Sequence, residues 1–292
     1  MDMQNSFYTN VELIGLLGFP IKQSFSPFVH NIAAELTGTK LIYLPFEVHS
    51  SNLKNAVKGI TALGIRGFNV TVPHKVAVTD FMNKLSEEAS VTGSVNTVVN
   101  ELGKLIGYNT DVYGINESLQ IYKSQITSND VCVIGAGGAA RSVVYTLIRN
   151  FKPKKIYLVN RTEEHSESLR QHFKSKMRYD SVITNELQQP DLLPIINNCS
   201  LVVNCTSVGM FPDVDDSIFN NPQLFVKNQI VFDIVYNPVK TKFLQIAESS
   251  GAITINGLKM FVLQAAKSFN HWTGVEFPID KVYKSLLLYV SK

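Results

Sequence analysis

At 292 residues, with 45% hydrophobic and 17% charged residues, the chain has the composition of an ordinary globular enzyme and room for two domains. A net charge of +3 with no Lys/Arg-rich block argues against nucleic acid as a partner, and the longest apolar run, 13–21, is too short to span a membrane. Residues 1–10 lack a basic start and Glu12 interrupts the apolar run, so no secretory signal is expected. The three cysteines, Cys132, Cys199 and Cys205, have no metal-ligand or C-x-x-C spacing, which predicts no metal site, reduced thiols and a cytoplasmic protein.

The apolar pattern predicts a strand over 13–17, ended by Gly18 and Pro20. In S-F-S-P-F-V-H-N (24–31), Ser26 reads as an N-cap and Pro27 as the first helical position, with Phe28, Ile32 and Leu36 at helical spacing up to Gly38. Capping alone is enough to explain Ser26. Ser24, with no capping duty, adds a second hydroxyl beside a positive helix end, a pair suited to a carboxylate. A strand follows over 41–48, with Pro45 marking an edge or bulge, then a helix over 53–63. The strand over 66–72 runs into N-V-T-V-P-H-K (69–75), where alternation puts Asn69 and Thr71 on one face. Polar residues on a buried strand need partners, and a ligand is one candidate. Lys75 alone reads as a surface lysine; its place past a strand end beside Thr71 points toward chemistry. Strands over 95–99 and 104–108 form a hairpin, with Asn96 near its start. N-T-D (109–111) follows, and Asp111 is placed to cap a short helix over 112–119.

From 131 the pattern becomes strand and helix in alternation, which predicts a doubly wound parallel sheet. Strands are expected over 131–134, 155–159, 181–183, 201–204, 230–234 and 253–255, and helices over 138–149, 163–176 and 240–250. Two amphipathic helices, 257–270 and 278–289, close the chain. The organising stretch is V-C-V-I-G-A-G-G-A-A-R (131–141), whose Gly135, Gly137 and Ala140 fit G-x-G-x-x-G/A between a strand and a helix. Such a turn seats a dinucleotide pyrophosphate on the helix N-terminus. Asn160, Arg161 and Thr162 follow the next strand, where NAD enzymes usually carry an acid for the ribose; an arginine there suits a 2′-phosphate, hence NADP. N-C-T-S-V-G-M (204–210) and D-I-V-Y-N-P (233–238) occupy the ends of two further strands, and loop positions at that edge favour ligand contact by Met210 and Tyr236.

Together these segments resemble the shikimate dehydrogenase family. The resemblance rests on S-F-S-P-F-V-H-N, N-V-T-V-P-H-K, G-S-V-N-T-V-V, N-T-D, G-A-G-G-A-A-R, N-R-T, N-C-T-S-V-G-M, D-I-V-Y-N-P and G-L-K-M-F-V-L-Q-A-A-K-S-F, all in family order over nearly the whole chain. It implies an α/β protein of two domains. Residues 1–112 with 257–292 would form an N-terminal α/β substrate domain completed by C-terminal helices, and 113–256 an inserted Rossmann-type NAD(P)-binding domain. The implied activity is reversible, NADP-dependent reduction of 3-dehydroshikimate to shikimate in aromatic biosynthesis. The implied partner is a small-molecule substrate, and the family includes monomers and homodimers.

Roles implied by the resemblance fall on residues of this sequence. Lys75 matches the catalytic lysine and Asp111 its partner. Ser24 and Ser26 match the serines that hold the substrate carboxylate, with Tyr236 nearby, while Thr71, Asn96 and Gln264 match residues that bind ring hydroxyls. Gly135, Ala136, Gly137, Gly138 and Ala139, with Asn160, Arg161 and Thr162, match the NADP site. Thr206 is a further cofactor-binding position, and Gly257 and Met260, with Met210, match the nicotinamide end. A free lysine titrates well above neutral pH; desolvation would lower its pKa and a carboxylate would raise it, so Lys75 is read as general acid/base within a Lys75–Asp111 pair. One departure bears on the cofactor: Glu163 and Glu164 follow N-R-T, with His165 where many relatives carry a second base, which opens NAD or dual use and a quinate/shikimate enzyme. A non-catalytic binding or regulatory protein on the same fold is the remaining alternative.

Overall fold

The computed structural model describes residues 11–187 and 192–290; residues 1–10, for which no secretory signal is expected, lie outside the described residues. The first elements are β1 (Glu12–Gly18), α1 (Ser26–Thr37), β2 (Leu41–Glu47), α2 (Leu53–Ala62) and β3 (Gly67–Val70). They are followed by β4 (Lys84–Leu85), α3 (Glu87–Thr92), β5 (Thr97–Glu101), β6 (Lys104–Tyr108), α4 (Asp111–Leu119) and α5 (Lys123–Ile126). Next come β7 (Asp130–Ile134), α6 (Gly138–Thr146), β8 (Lys155–Asn160), α7 (Glu163–Met177), β9 (Val182–Glu186) and α8 (Leu192–Asn198). The last are β10 (Leu201–Asn204), β11 (Ile230–Asp233), α9 (Lys242–Ser249), β12 (Ile253–Ile255), α10 (Leu258–Thr273) and α11 (Ile279–Val290).

Two compact units result, one from residues 11–85, 95–108 and 265–290, the other from 86–94 and 109–264. The expected boundaries at 112/113 and 256/257 therefore move, and for a packing reason. A Cβ on Gly114 of α4 would lie 2.6 Å from the Met260 carbonyl of α10, so the first turns of these two helices are pressed together inside the second unit. The excursion 86–94 has no counterpart in the expected division. It carries α3, whose start is set by Ser86 Oγ accepting from Ala89 N–H and by Glu87 and Glu88 in the first turn. Gly93, at φ 61°, ends it.

In the first unit, strands run in the order β2-β1-β3-β5-β6-β4, parallel from β2 to β3 and antiparallel through β5 and β6. Pro45 lies on the edge strand β2, as expected. The buried Trp272 of α10 clamps this sheet, donating Nε1–H to the Val98 carbonyl at 2.9 Å while its own carbonyl accepts from Arg66 Nε and Nη2. Gly67 is required under that ring: a Cβ there would collide with Trp272 Nε1 and the Val98 carbonyl.

In the second unit all six strands are parallel, in the order β12-β11-β10-β7-β8-β9. Counted from β7 as first, this is the 3-2-1-4-5-6 order of doubly wound dinucleotide folds, with its switch point between β7 and β10. Both strands at the switch point are fully buried from Val131 to Val133 and from Leu201 to Asn204, which is why they read as continuous apolar runs. Beyond the switch point, Asp233 ends β11 without solvent exposure. It accepts from Asn204 Nδ2 (2.9 Å), Val235 N–H (3.0 Å) and Thr241 Oγ1 (2.6 Å), and Thr241 in turn caps α9. Burial nevertheless pushes its carboxyl up from 3.8 to about 6, against the pull of those three donors.

Two stability measurements test these points. Gly67→Ala should lower the unfolding free energy by about 2 kcal/mol, read as a lower urea midpoint, because the Trp272 clamp must shift to admit the methyl group. For Asp233 the native state holds its proton more tightly than the unfolded chain, so its contribution is fully present below the unfolded value of 3.8 and lost as pH rises through about 6. That amounts to about 3 kcal/mol across the window. The buried His30, held down at about 3, titrates with the opposite sign, so the comparison isolates Asp233: wild type minus Asp233→Asn should lose stability between pH 4 and 6. A difference that is flat with pH would contradict the burial argument.

Candidate active site

In the first unit, the polar residues singled out in the sequence gather at one edge of the sheet, at the carboxyl ends of the parallel neighbours β1 and β3. Thr71 follows β3, its N–H bonded to the Leu17 carbonyl of β1 at 2.9 Å. A Cβ on Gly18 would collide with Thr71 Cγ2 and Ile21 Cγ2, so the chain leaving β1 lies directly against Thr71. Ser24 N–H then bonds the Ile21 carbonyl at 3.0 Å, which brings the two serines to the same edge. Lys75, partly buried, sits in a clamped turn: His74 N–H bonds the Thr71 carbonyl, buried His74 Nε2 donates to the Val48 carbonyl at 2.6 Å, and Lys75's own carbonyl accepts Val95 N–H at 2.8 Å. Through Val95 the lysine's backbone is tied to Asn96, which is 3% exposed and whose carbonyl accepts Val70 N–H of β3.

Two expectations are corrected here. Ser26 is not the N-cap of α1; it is the first helical residue, and Phe25 at the cap position supplies no side-chain bond. The hydroxyl that serves this end is Ser24's, which accepts Ser26 N–H at 3.2 Å and lies 3.2 Å from Ser26 Oγ. Asn69 needs no ligand either. Its amide donates to the Asn96 carbonyl (2.9 Å), Thr97 Oγ1 (3.0 Å) and Ser268 Oγ (3.3 Å), and its Oδ1 accepts from Tyr43 OH at 2.7 Å.

In the second unit, Asp111 is the first residue of α4 rather than its cap, and is 4% exposed. Beside it, Thr110 Oγ1 donates to Gln264 Oε1 at 3.4 Å, and Gln264 Nε2 donates to the Phe261 carbonyl, so N-T-D and the glutamine of α10 are brought together. Tyr236 stacks on Phe261 at 4.3 Å.

The glycine turn sits at the switch point. Gly135, at φ 104°, occupies a conformation that side chains strain to reach, and a Cβ there would lie 3.1 Å from Thr206 Cγ2. Gly137 is extended and has open space where its Cβ would be. It begins α6 without any side-chain cap bond, while the fully buried Ala140 lets that helix pack close. Uncapped first-turn amides behind an open glycine fit a pyrophosphate. Asn160 Nδ2 donates to the Thr162 carbonyl at 2.8 Å, leaving Arg161, Glu163 and Glu164 exposed at the start of α7.

The remaining cofactor-side residues divide. Thr206 Oγ1 donates to Asn204 Oδ1 and accepts Val208 N–H, and Met210 lies on the same partly exposed loop. Gly257 is set by backbone packing, since a Cβ would collide with the Ile234 carbonyl, and Met260 is 7% exposed within the core of the unit. Among the described residues no group of histidine, cysteine or acidic side chains could hold a metal, and the three cysteines are buried free thiols.

Comparison with known proteins agrees along the chain. Residues 16–98 match the shikimate dehydrogenase substrate binding domain, 117–242 the shikimate/quinate 5-dehydrogenase family, and 257–287 the shikimate 5′-dehydrogenase C-terminal domain. A shikimate dehydrogenase (NADP+) of Alkaliphilus oremlandii is 41% identical over 275 residues, covering 94% of this chain and 96% of that protein. A shikimate dehydrogenase solved in complex with NADP+ superposes with a TM-score of 0.87 at 35% identity, over 97% of this chain and 96% of that one. The shikimate 5-dehydrogenase of Listeria monocytogenes, solved with shikimate and NAD, gives 0.83 at 35% identity, over 95% and 97%. With its motifs at the strand ends and a relative 41% identical over 94% of its length, the chain belongs to the shikimate dehydrogenase family.

Proposed function

We propose that this protein catalyses the reversible, NADP-dependent reduction of 3-dehydroshikimate to shikimate, feeding chorismate and aromatic amino acid synthesis in the cytoplasm. The observation that carries the reading is the pairing of two strand-end constellations in one chain of this family: Ser24, Ser26, Thr71, Lys75 and Asn96 at the edge of one sheet, and an open glycine turn at the switch point of the other. When bound, the nicotinamide supplies the hydride chemistry.

The chain's own residues supply positioning and proton transfer. Ser24 and Ser26, at the positive end of the 12-residue helix α1, donate to the substrate carboxylate, with Tyr236 as a further hydroxyl. Thr71, Asn96 and Gln264 orient the ring hydroxyls. Lys75 gives or takes the proton at the alcohol oxygen as general acid/base, with Asp111 as its partner. The clamped turn at Lys75 leaves only the side chain to move, so the ammonium is presented at low entropic cost. Gly135, Ala136, Gly137, Gly138 and Ala139 receive the pyrophosphate through their backbone, and Arg161 takes the 2′-phosphate. Thr206 contacts the cofactor, and Met210, Gly257 and Met260 form the nicotinamide end.

A second reading has a specific observation behind it. Glu163 and Glu164 are exposed in the first turn of α7, beside Arg161, and repel a 2′-phosphate while tolerating a free ribose. On that reading the enzyme uses NAD as well, and accepts quinate.

Comparing kcat/KM for shikimate and quinate with NADP and NAD decides between the readings; a large preference for shikimate with NADP supports the first. Lys75→Ala should lower kcat about 10²–10⁴-fold with a smaller change in shikimate affinity. Turnover near that of wild type would sink the proton-transfer role. Arg161→Ala should raise KM for NADP about 10- to 100-fold and leave KM for NAD nearly unchanged. Binding of both ligands by calorimetry without turnover would favour a non-catalytic protein instead.

A further inference from the structure

Asn109, the first residue of N-T-D, has no role in the reaction as proposed, yet two other segments of the second unit converge on its buried amide. Nδ2 lies 3.0 Å from the Ser94 carbonyl and 3.1 Å from Thr92 Oγ1, in the segment that precedes Asn96. The same amide faces the Ser142 hydroxyl of α6, with Nδ2 2.9 Å and Oδ1 3.1 Å from Ser142 Oγ. Ser142 Oγ also reaches back one turn to the Gly138 carbonyl at 3.3 Å, at the first residue of the nucleotide helix. Thr92, Ser94 and Ser142 are fully buried, so no water can replace a lost bond here.

Neighbouring bonds stiffen the junction. Arg141 Nη1 donates to the Thr92 carbonyl at 3.1 Å, and His172 Nε2 to the Val91 carbonyl at 2.7 Å. The last carbonyls of α3 are thereby held by α6 and α7. Along the chain, Asp111 is two residues after Asn109. Val95, whose N–H bonds the Lys75 carbonyl, directly follows Ser94, and Asn96 comes next.

We infer that Asn109 and Ser142 are positioning residues that couple occupancy of the glycine turn to the placement of Asp111 and of the Val95–Asn96 backbone, and so make nucleotide and substrate bind cooperatively. This rests on the function proposed above. An anion drawn onto the first-turn amides of α6 moves Gly138 and Ser142 together, because the hydroxyl ties one turn of the helix to the next. Ser142 cannot move away from Asn109 without leaving buried polar groups unpaired, so the Asn109 turn and the Thr92–Ser94 segment follow the helix.

The test uses shikimate with NADPH, a pair that cannot react. Calorimetry gives the shikimate Kd with and without saturating NADPH, for wild type, Ser142→Ala and Asn109→Ala. Wild type should bind shikimate at least about 5-fold more tightly with NADPH present. Either variant should bring that ratio to within about 2-fold of unity while still binding each ligand singly. A purely structural role would lower thermal stability and leave the ratio intact, and that result overturns the inference. So does a wild-type ratio of one, or loss of NADPH binding in Ser142→Ala, which would make the hydroxyl part of the nucleotide site. Should Asn109→Ala fail to fold, Ser142→Ala decides alone. Wild-type protein that binds neither ligand overturns the functional reading itself, and the coupling with it.

Discussion

Parallel strands present a recurring problem at their carboxyl ends, where the ladder stops and backbone groups lose their partners while still buried. This protein meets it repeatedly with an asparagine. Asn69 near the end of β3, Asn109 just past β6, Asn160 at the end of β8 and Asn204 at the end of β10 each spend their amide inside the protein. An asparagine carries a two-hydrogen donor and a separate carbonyl acceptor on one short side chain, so it can bridge a strand end to the next loop with several bonds at once. Two residues further on, in every case, stands a residue of the proposed site: Thr71, Asp111, Thr162 and Thr206. Asn69, Asn109 and Asn204 are buried and Asn160 is partly so, and each ties down the chain just before the residue beyond it.

The same constraint explains why Asp233 is tolerated as a buried acid. It takes three donors and serves one strand end, one loop and the cap of α9 together. Burial outweighs those three donors and raises its pKa. The Asn204 amide that meets it also orders Thr206, so the two loops beyond the switch point are fixed as one piece. Preorganisation of this kind matters for hydride transfer, where small errors of placement are expensive.

Much of this was legible in the sequence, because it is encoded locally. The glycine turn, the six parallel strands of the second unit, the closing helices and the edge position of Pro45 follow from periodicity and turn chemistry over windows of about ten residues. What was not legible depends on distant partners. Asn69 looked like a ligand-seeking polar residue since its real partners, Tyr43, Thr97 and Ser268, lie 26, 28 and 199 positions away. Ser26 and Asp111 looked like caps because propensity cannot tell the residue before a helix from the first one in it. The short α3 was missed although Ser86, the two glutamates and Gly93 mark both of its ends. Its six residues hold too little periodicity to announce a helix, and it owes its place to Arg141 and His172.

The segment 86–94 has one more consequence. The chain passes from one compact unit to the other after residues 85, 94, 108 and 264, so no single cut separates them. A fragment ending at 108 would carry all six strands of the first sheet but lack Trp272, leaving Gly67 facing an empty slot. A fragment spanning 109–264 would lack the helix that its own Arg141 and His172 were built to hold. The protein is therefore poorly suited to dissection into separate modules.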